Sequence, residues 1–431
     1  MPKLSVFRES LGAQQAIIEK IETVGEGVIV AHVRPRAKAR SRCGVCLKRR
    51  PGYDAGPGRR RWRHLDFGAV EVFLEADSPR VKCPDHGVVV AHVPWARHAA
   101  GHTREFDDQA AWLATQSSKT AVTMLMRVAW RTVGAIIARV WADMSAQVDR
   151  FEGVKRIGID EVSYKKGHRY LMVVVDHDTR HLLWAAPGRD SATVRQFFIL
   201  LGPERCAQIT HVSADGADFI DKVVSQMCPN AVQVADPFHI VRWAADALDE
   251  VRRDVWNEAR KLAATEPTLK RGRPTKNDPP RPGHDLAKLL KSIRFCLWKN
   301  PENLTDNQRL KLEWISIAHP QLFRAYLLKE ALRLVFQMPP DAAAEALDRW
   351  ISWARRCRIP AFVKLQRSIQ KHRARILACI EYNLSNALIE STNTKIRLIT
   401  RKAYGFHSAE SLIAIAMLTL SGYEPTLPGR K

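Results

Sequence analysis

No run of roughly eighteen apolar residues occurs anywhere in the 431-residue chain, which excludes a single helix of membrane-spanning length. The opening residues, Met1-Pro-Lys-Leu-Ser-Val-Phe-Arg-Glu-Ser10, lack the apolar core of a secretory leader. Cysteine is scarce, with 8 in the whole chain; in a leaderless protein these predict metal binding in a reducing compartment rather than a disulfide framework. Acid is short as well. Asp and Glu total 45 against 68 Lys and Arg, a formal charge of +23. Such an excess favours a polyanionic partner, nucleic acid over membrane. No internal repeat is visible. With 46% hydrophobic residues the chain has enough apolar material for more than one core. Composition alone thus predicts a soluble, cytoplasmic protein that works on DNA.

Periodicity divides what is present. Residues 1–105 mix short strand-like runs with Gly, Pro and Arg, and the alternation in Ala69-Val-Glu-Val-Phe-Leu-Glu-Ala76 predicts a strand. Helical spacing takes over at Phe106, Ala110, Leu113 and Ala114, then at Val133, Ile136, Ile137 and Val140. Between about 154 and 240 five strands are expected, at 155–160, 169–176, 181–186, 209–215 and 232–236, with helices after Ser191 and Gly216. Residues 241–380 look almost wholly helical apart from a basic, Pro-rich loop at about 265–284. In that stretch Trp298, Trp314, Trp350 and Trp353 are expected mostly to fill a core.

Three constellations carry chemistry. The first is Cys43-Gly-Val-Cys46 with Cys83-Pro-Asp-His86, two chelating pairs that together make a tetrahedral set for Zn²⁺. His64, His92 or a non-protein ligand competes with His86 for the fourth place. The five remaining cysteines are isolated and read as core. The second is a helix-turn-helix pattern in which Trp130-Arg131-Thr132-Val133 begins the recognition helix, with Arg131 and Thr132 facing double-stranded DNA; any small three-helix bundle shares this pattern. A short Arg271-Gly-Arg273-Pro274 core resembles an AT-hook suited to a narrow minor groove, against the plainer reading of a solvated basic linker.

The third constellation is acidic. Three consecutive strands, a helix, a strand, a helix and a strand fit a ribonuclease-H-like sheet, in which strands one and four are parallel neighbours. Asp160 near the end of strand one and Asp215 at the end of strand four then face each other. Far downstream, Asn386, Glu390, Asn393 and Arg397 recur at helical spacing on one polar stripe, away from Leu388, Ile389, Ile396 and Ile399. Three carboxylates from separate elements make an oxygen cage for two Mg²⁺ or Mn²⁺ ions, the arrangement that serves in-line displacement at a phosphodiester. Asp215 and Asp236 compete for the second place, since both end strands; direct adjacency to strand one favours Asp215. Lys395 and Arg397 are candidate phosphate contacts. Glu161 and Asp176 read as structural or peripheral.

Ile157-Gly-Ile-Asp160-Glu-Val-Ser-Tyr-Lys-Lys-Gly-His-Arg-Tyr170, Val234-Ala-Asp236-Pro-Phe-His239, Ser385-Asn-Ala-Leu-Ile-Glu390-Ser-Thr-Asn393 and Arg401-Lys-Ala-Tyr-Gly-Phe406 resemble the DDE transposases of the bacterial ISL-three insertion-sequence family. The resemblance covers nearly the whole chain. It implies an enzyme that recognises terminal inverted repeats and acts as a homodimer or larger assembly holding both ends. It also implies an accessory role for Asp236 and His239. The expected architecture is α/β: a zinc-binding domain (1–105), a helix-turn-helix domain (106–150), a ribonuclease-H-like mixed sheet (151–245), an all-helical insertion (246–380) and the returning part of the catalytic domain (381–431).

Overall fold

The computed structural model describes residues 16–25, 27–215, 217–266 and 280–430. Arg271 and Arg273 lie outside the described residues.

The first hundred residues hold two sheets. Strands β1 (Ala16–Thr23), β2 (Val28–Pro35), β4 (Arg59–Phe67) and β5 (Val70–Asp77) form one, ordered β1-β2-β5-β4. Strands β3 (Gly52–Asp54), β6 (Arg80–Cys83) and β7 (Gly87–Val90) form the other. Only β5 was plain from alternation. Its partner β4 reads Arg-Arg-Arg-Trp-Arg-His, with no apolar period, because cross-strand charge rather than grease supports it. Arg59 stands opposite Asp77 and Arg61 opposite Glu75, the latter pair closing at 2.6 Å. Trp62 still turns inward and meets Trp95 edge-on at 5.7 Å between ring centroids.

Helices α1 (Arg104–Gln116), α2 (Lys119–Met126) and α3 (Trp130–Gln147) follow. Thr103 and Ser118 cap the first two by accepting from Phe106 N and Ala121 N. Arg127, in left-handed backbone, ends α2, and α3 departs at 102° to it. That angle lies in the helix-turn-helix range.

Strands β8 (Arg156–Lys165), β9 (Arg169–Asp176), β10 (Leu182–Pro187), β11 (His211–Ala214) and β12 (Val232–Ala235) make a five-stranded sheet ordered β10-β9-β8-β11-β12. It is the ribonuclease-H-like order, with β8–β9–β10 antiparallel and β8–β11–β12 parallel. Helices α4 (Ser191–Leu201), α5 (Pro203–Gln208) and α6 (Asp218–Met227) connect it, and Phe197, Phe198, Ile220 and Val224 cover one face. One expectation needs correcting: Asp160 is not near the end of its strand but the fifth residue of ten. The β8–β9 hairpin runs on to the Lys165–Arg169 pair, whereas parallel pairing with β11 stops at Ile159 opposite Ala214. Asp160 is therefore at the end of the parallel ladder only.

The insertion is α7 (Pro237–Ala264), α8 (Pro282–Trp298), α9 (Asp306–Ala318), α10 (Pro320–Val335), α11 (Pro340–Arg356), α12 (Pro360–Lys371) and α13 (Arg373–Tyr382). Five of these seven start on proline, which suits a first turn that has no use for its N–H. α7 runs without a break through position 245. Leu248, Ile293, Leu328, Trp350 and Phe362 lie in the insertion's core. Of the four tryptophans read there, Trp350 is buried and donates to Leu328 O at 2.7 Å, and Trp314 packs at the core's edge. Trp298 and Trp353 are exposed.

The chain closes with α14 (Ala387–Lys402) and α15 (Ala409–Leu420) on the second face of the sheet. There Ile389, Ile396, Leu412 and Ile415 share a single core with Val162, Leu171 and Val173 of the sheet and with Val133, Ile136 and Val140 of α3. The helix-turn-helix unit is thus packed into the core of the larger domain. No single helix among the described residues is long and apolar enough to cross a membrane.

Candidate active site and nucleic-acid-binding elements

Parallel register brings the first two acids together. With Ile159 opposite Ala214, the next residues, Asp160 and Asp215, leave the ladder side by side. Carboxylate oxygens of Asp160, Glu161 and Asp215 all lie within 4.8 Å of one another. Burial, followed by the charges of Asp215 and Glu161, pushes the Asp160 carboxyl up to about 7. Burial and Asp215 raise Glu161 too, against the opposing pull of Arg189, whose Nε donates to Glu161 at 2.6 Å. Acids crowded to this degree form a site that demands positive charge, and hard oxygen donors fit a divalent cation.

Asp236 is placed differently. It is buried, and its oxygens are engaged: one accepts from His239 N at 3.3 Å and from the His239 ring at 2.7 Å, the other from Asn386 N at 3.3 Å. It caps α7 and pins the start of α14. Among the described residues Asp215 accepts only from Ala217 N, at 3.2 Å. His239, oriented through Nδ1, keeps Nε2 for another partner.

Helix α14 crosses between these two places. At its start Asn386 meets Asp236; two turns on, Asn393 Nδ2 donates to Asp160 Oδ2 at 2.8 Å. Glu390 lies between them, one turn from each anchor, which puts it about 5–6 Å in Cβ separation from Asn393. Its carboxylate is exposed and is not among the clustered acid oxygens. The expected single polar stripe is also split. Asn386 and Asn393 go inward with Ile389, Thr392 and Ile396, while Glu390 and Arg397 sit at the solvent edge of that face. The buried amides are polar because they face acids and backbone rather than a core. Among the described residues the whole side-chain amide of Asn386 has no partner, nor has Asn393 Oδ1. Lys395 and Arg397 are exposed on the same helix. Glu161, expected to be structural or peripheral, lies within the acid cluster, and Arg189 pairs with it. Strand alternation assigns Glu161 to the opposite face from Asp160, and no local signal joins Arg189 to either.

In the three-stranded sheet, Cys43, Cys46, Cys83 and His86 bring one ligand atom each within 4.8 Å of the others. Cys46 Sγ and Cys83 Sγ are 3.8 Å apart, and His86 Nδ1 is 3.5 Å from Cys83 Sγ and 3.8 Å from Cys43 Sγ. Tetrahedral bonds of ~2.3 Å put two sulfurs about 3.8 Å apart, so the set fits zinc as it stands. His64 instead accompanies Thr103, at 2.9 Å, and His92 is not in the cluster. The other five cysteines are buried and form no disulfide.

On α3, Val133, Ile136 and Ile137 face inward; Arg131 is exposed and Thr132 half-buried at the helix start. The turn before it is fastened to the β4–β5 hairpin by Arg127, which pairs with Asp66. Deeper in the same seam, fully buried Asp107 accepts from Arg139 at 2.8 Å, and Arg97 reaches Asp108 at 2.7 Å and Asp143 at 2.9 Å.

A transposase family model, the DDE domain of ISL3 elements, matches residues 157–416. The helix-turn-helix domain of transposase family ISL3 matches 91–141, and the zinc finger of the IS204/IS1001/IS1096/IS1165 transposases matches 39–86. The transposase for insertion sequence element IS1557 of Mycobacterium tuberculosis is 59% identical over 436 residues, covering 100% of this chain and 98% of that protein. The transposase for IS1001 of Bordetella parapertussis is 28% identical over 355 residues, covering 81% of this chain and 82% of that one.

Proposed function

The chain belongs to the ISL3 family of DDE transposases, with a DNA-binding helix-turn-helix, and from that premise we propose that it binds the terminal inverted repeats of an insertion sequence and cuts and rejoins DNA there. Asp160, Asp215 and Glu390 are the three acids of this reading. The observation that carries it is the Asn393–Asp160 hydrogen bond, which ties α14 to the acid pair with Glu390 one turn away. Glu161 is left out because Arg189 already neutralises it, and Asp236 because its oxygens are spent on α7 and α14.

When bound, two Mg²⁺ or Mn²⁺ ions supply charge neutralisation and a more acidic nucleophile. Asp160, Asp215 and Glu390 are the residues to hold them. Water first attacks the phosphodiester at the element end and frees a 3′-hydroxyl; that hydroxyl then attacks a target phosphodiester, whose bridging oxygen leaves. Neither step needs a covalent enzyme intermediate. His239, oriented by Asp236, has Nε2 to place on a phosphate oxygen, and Lys395 and Arg397 lie on the helix that flanks the path. Arg131 and Thr132 present their side chains to base edges, and Cys43, Cys46, Cys83 and His86 hold a structural Zn²⁺ that shapes the N-terminal module. Two copies, or more, hold the two ends together on the bacterial nucleoid.

A strand-transfer assay with pre-cleaved element ends tests the reading. Joined product that depends on Mg²⁺ or Mn²⁺ is expected; cleavage of intact ends without any joining would reduce the chain to a nuclease.

A further inference from the structure

The turn after α14 holds the most exposed aromatic ring of the described chain. Tyr404 is 94% exposed, in left-handed backbone at φ +55°. Its N–H closes the helix onto Arg401 O at 3.0 Å, and Gly405 N closes onto Thr400 O at 2.9 Å. A bulky side chain at this kind of helix cap is unfavourable, and glycine is the usual occupant. At this exposure the Tyr404 ring packs on no other ring or cation among the described residues, so no ring contact offsets the strain.

What surrounds the turn points to a ligand. Arg397 and Arg401 are exposed on its helix side and make no ion pair among the described residues. Lys402 donates to Thr115 O at the end of α1, at 3.2 Å. On the other side His407 meets Trp130, the first residue of the recognition helix, edge-on at 5.7 Å, and Lys119 lies 3.3 Å over that same indole. The turn is thus attached to the N-terminal end of α3, beside Arg131 and Thr132, while the opposite half of α14 holds Asn393 on Asp160. Fourteen residues of mostly helical rise separate Glu390 from Tyr404, about 21 Å. That span is about six base pairs of duplex.

We propose that Tyr404 is a DNA wedge: its ring stacks on a base of the element end at a step between the bases read by α3 and the bond cut at the acids, with Arg397 and Arg401 on the flanking phosphates. The inference rests on the reading of the chain as a protein that cuts element ends. A π-face in a cationic setting takes any base, and an exposed aromatic beside a duplex gains by opening a step and covering what it exposes.

The test uses the full chain and an element-end duplex carrying 2-aminopurine singly at each position across that interval. Wild-type protein and Tyr404→Trp are expected to change the fluorescence at one position, and Tyr404→Gly at none. Tyr404→Gly should bind the end about ten-fold more weakly. Because it relieves a left-handed tyrosine, the same variant should melt at a higher temperature than wild type, which separates loss of contact from loss of fold. A Tyr404→Gly protein that binds and cleaves within about two-fold of wild type overturns the wedge alone. Wild-type protein that binds element ends no better than unrelated duplex overturns the wedge together with the reading beneath it.

Discussion

Asp160 carries a protonation-linked cost. Its carboxyl stands at about 7, against an ordinary value of 3.8, because it is buried beside Asp215 and Glu161. A carboxyl raised in the folded state favours folding most below its unfolded value, and that contribution is lost as pH rises through about 7. A divalent cation on the acids removes the penalty, so its stabilising effect must grow over the same interval. Thermal melts with and without Mn²⁺ at pH 5 and pH 8 should show a small shift at the lower pH and a larger one at the higher. Calorimetry at pH 6 should find about one proton released on binding. A shift independent of pH would contradict the assignment. At this scale Asp160 and Asp215 were legible because a strand order fixes where parallel neighbours end. The split of the α14 stripe was not, since helical spacing gives a face but not which flank of it is buried. Glu161 was hidden by strand alternation, and its ion pair with Arg189 joins residues that no local pattern connects.

At the scale of elements, charge joins what periodicity separated. The segments read as two N-terminal domains share a seam in which Asp107 serves Arg139 and Arg97, and in which Arg63 pairs with Asp66 and Glu71 below the α2–α3 turn. Asp107→Ala leaves the half-buried Arg139 guanidinium without its carboxylate, while Arg97 keeps Asp108 and Asp143, and should cost about 3 kcal/mol of stability in urea denaturation. A loss below about 1 kcal/mol would mean the seam is solvated. In the proposed function the Cys43, Cys46, Cys83 and His86 cluster holds zinc and acts as a second staple. Cys83→Ser should release zinc and lower the melting temperature, whereas His86→Cys should retain the metal, as read by a chromophoric chelator. Retention of one zinc per chain by Cys83→Ser would remove that residue from the ligand set. The ligand spacing was visible in the chain; the four-stranded sheet beside it was not, because β4 is held by arginines facing the acids of β5 rather than by alternating apolar residues.

Across the whole molecule one helix links the two tasks. The packing of α3, α14 and α15 into one core places the helix-turn-helix and the acid pair on a common frame, and in the proposed function the length of α14 sets the span between recognition and cleavage. The overall strand order and the position of the helical insertion were readable, since both follow from strand lengths, prolines and the distance between acids. How the reader docks was not, because it depends on apolar faces of α3 and α15 that look alike in any buried helix. The claim most exposed to refutation is that Glu390, and not the nearer Glu161, completes the site. Mg²⁺-dependent cleavage of a labelled element-end duplex by Glu390→Gln and Glu161→Gln decides it, with binding followed on the same samples. Glu390→Gln should bind within a few-fold of wild type and cut at least about a thousand-fold more slowly, while Glu161→Gln should still cut at a readily measured rate. Wild-type cutting by Glu390→Gln, with none by Glu161→Gln, would contradict it.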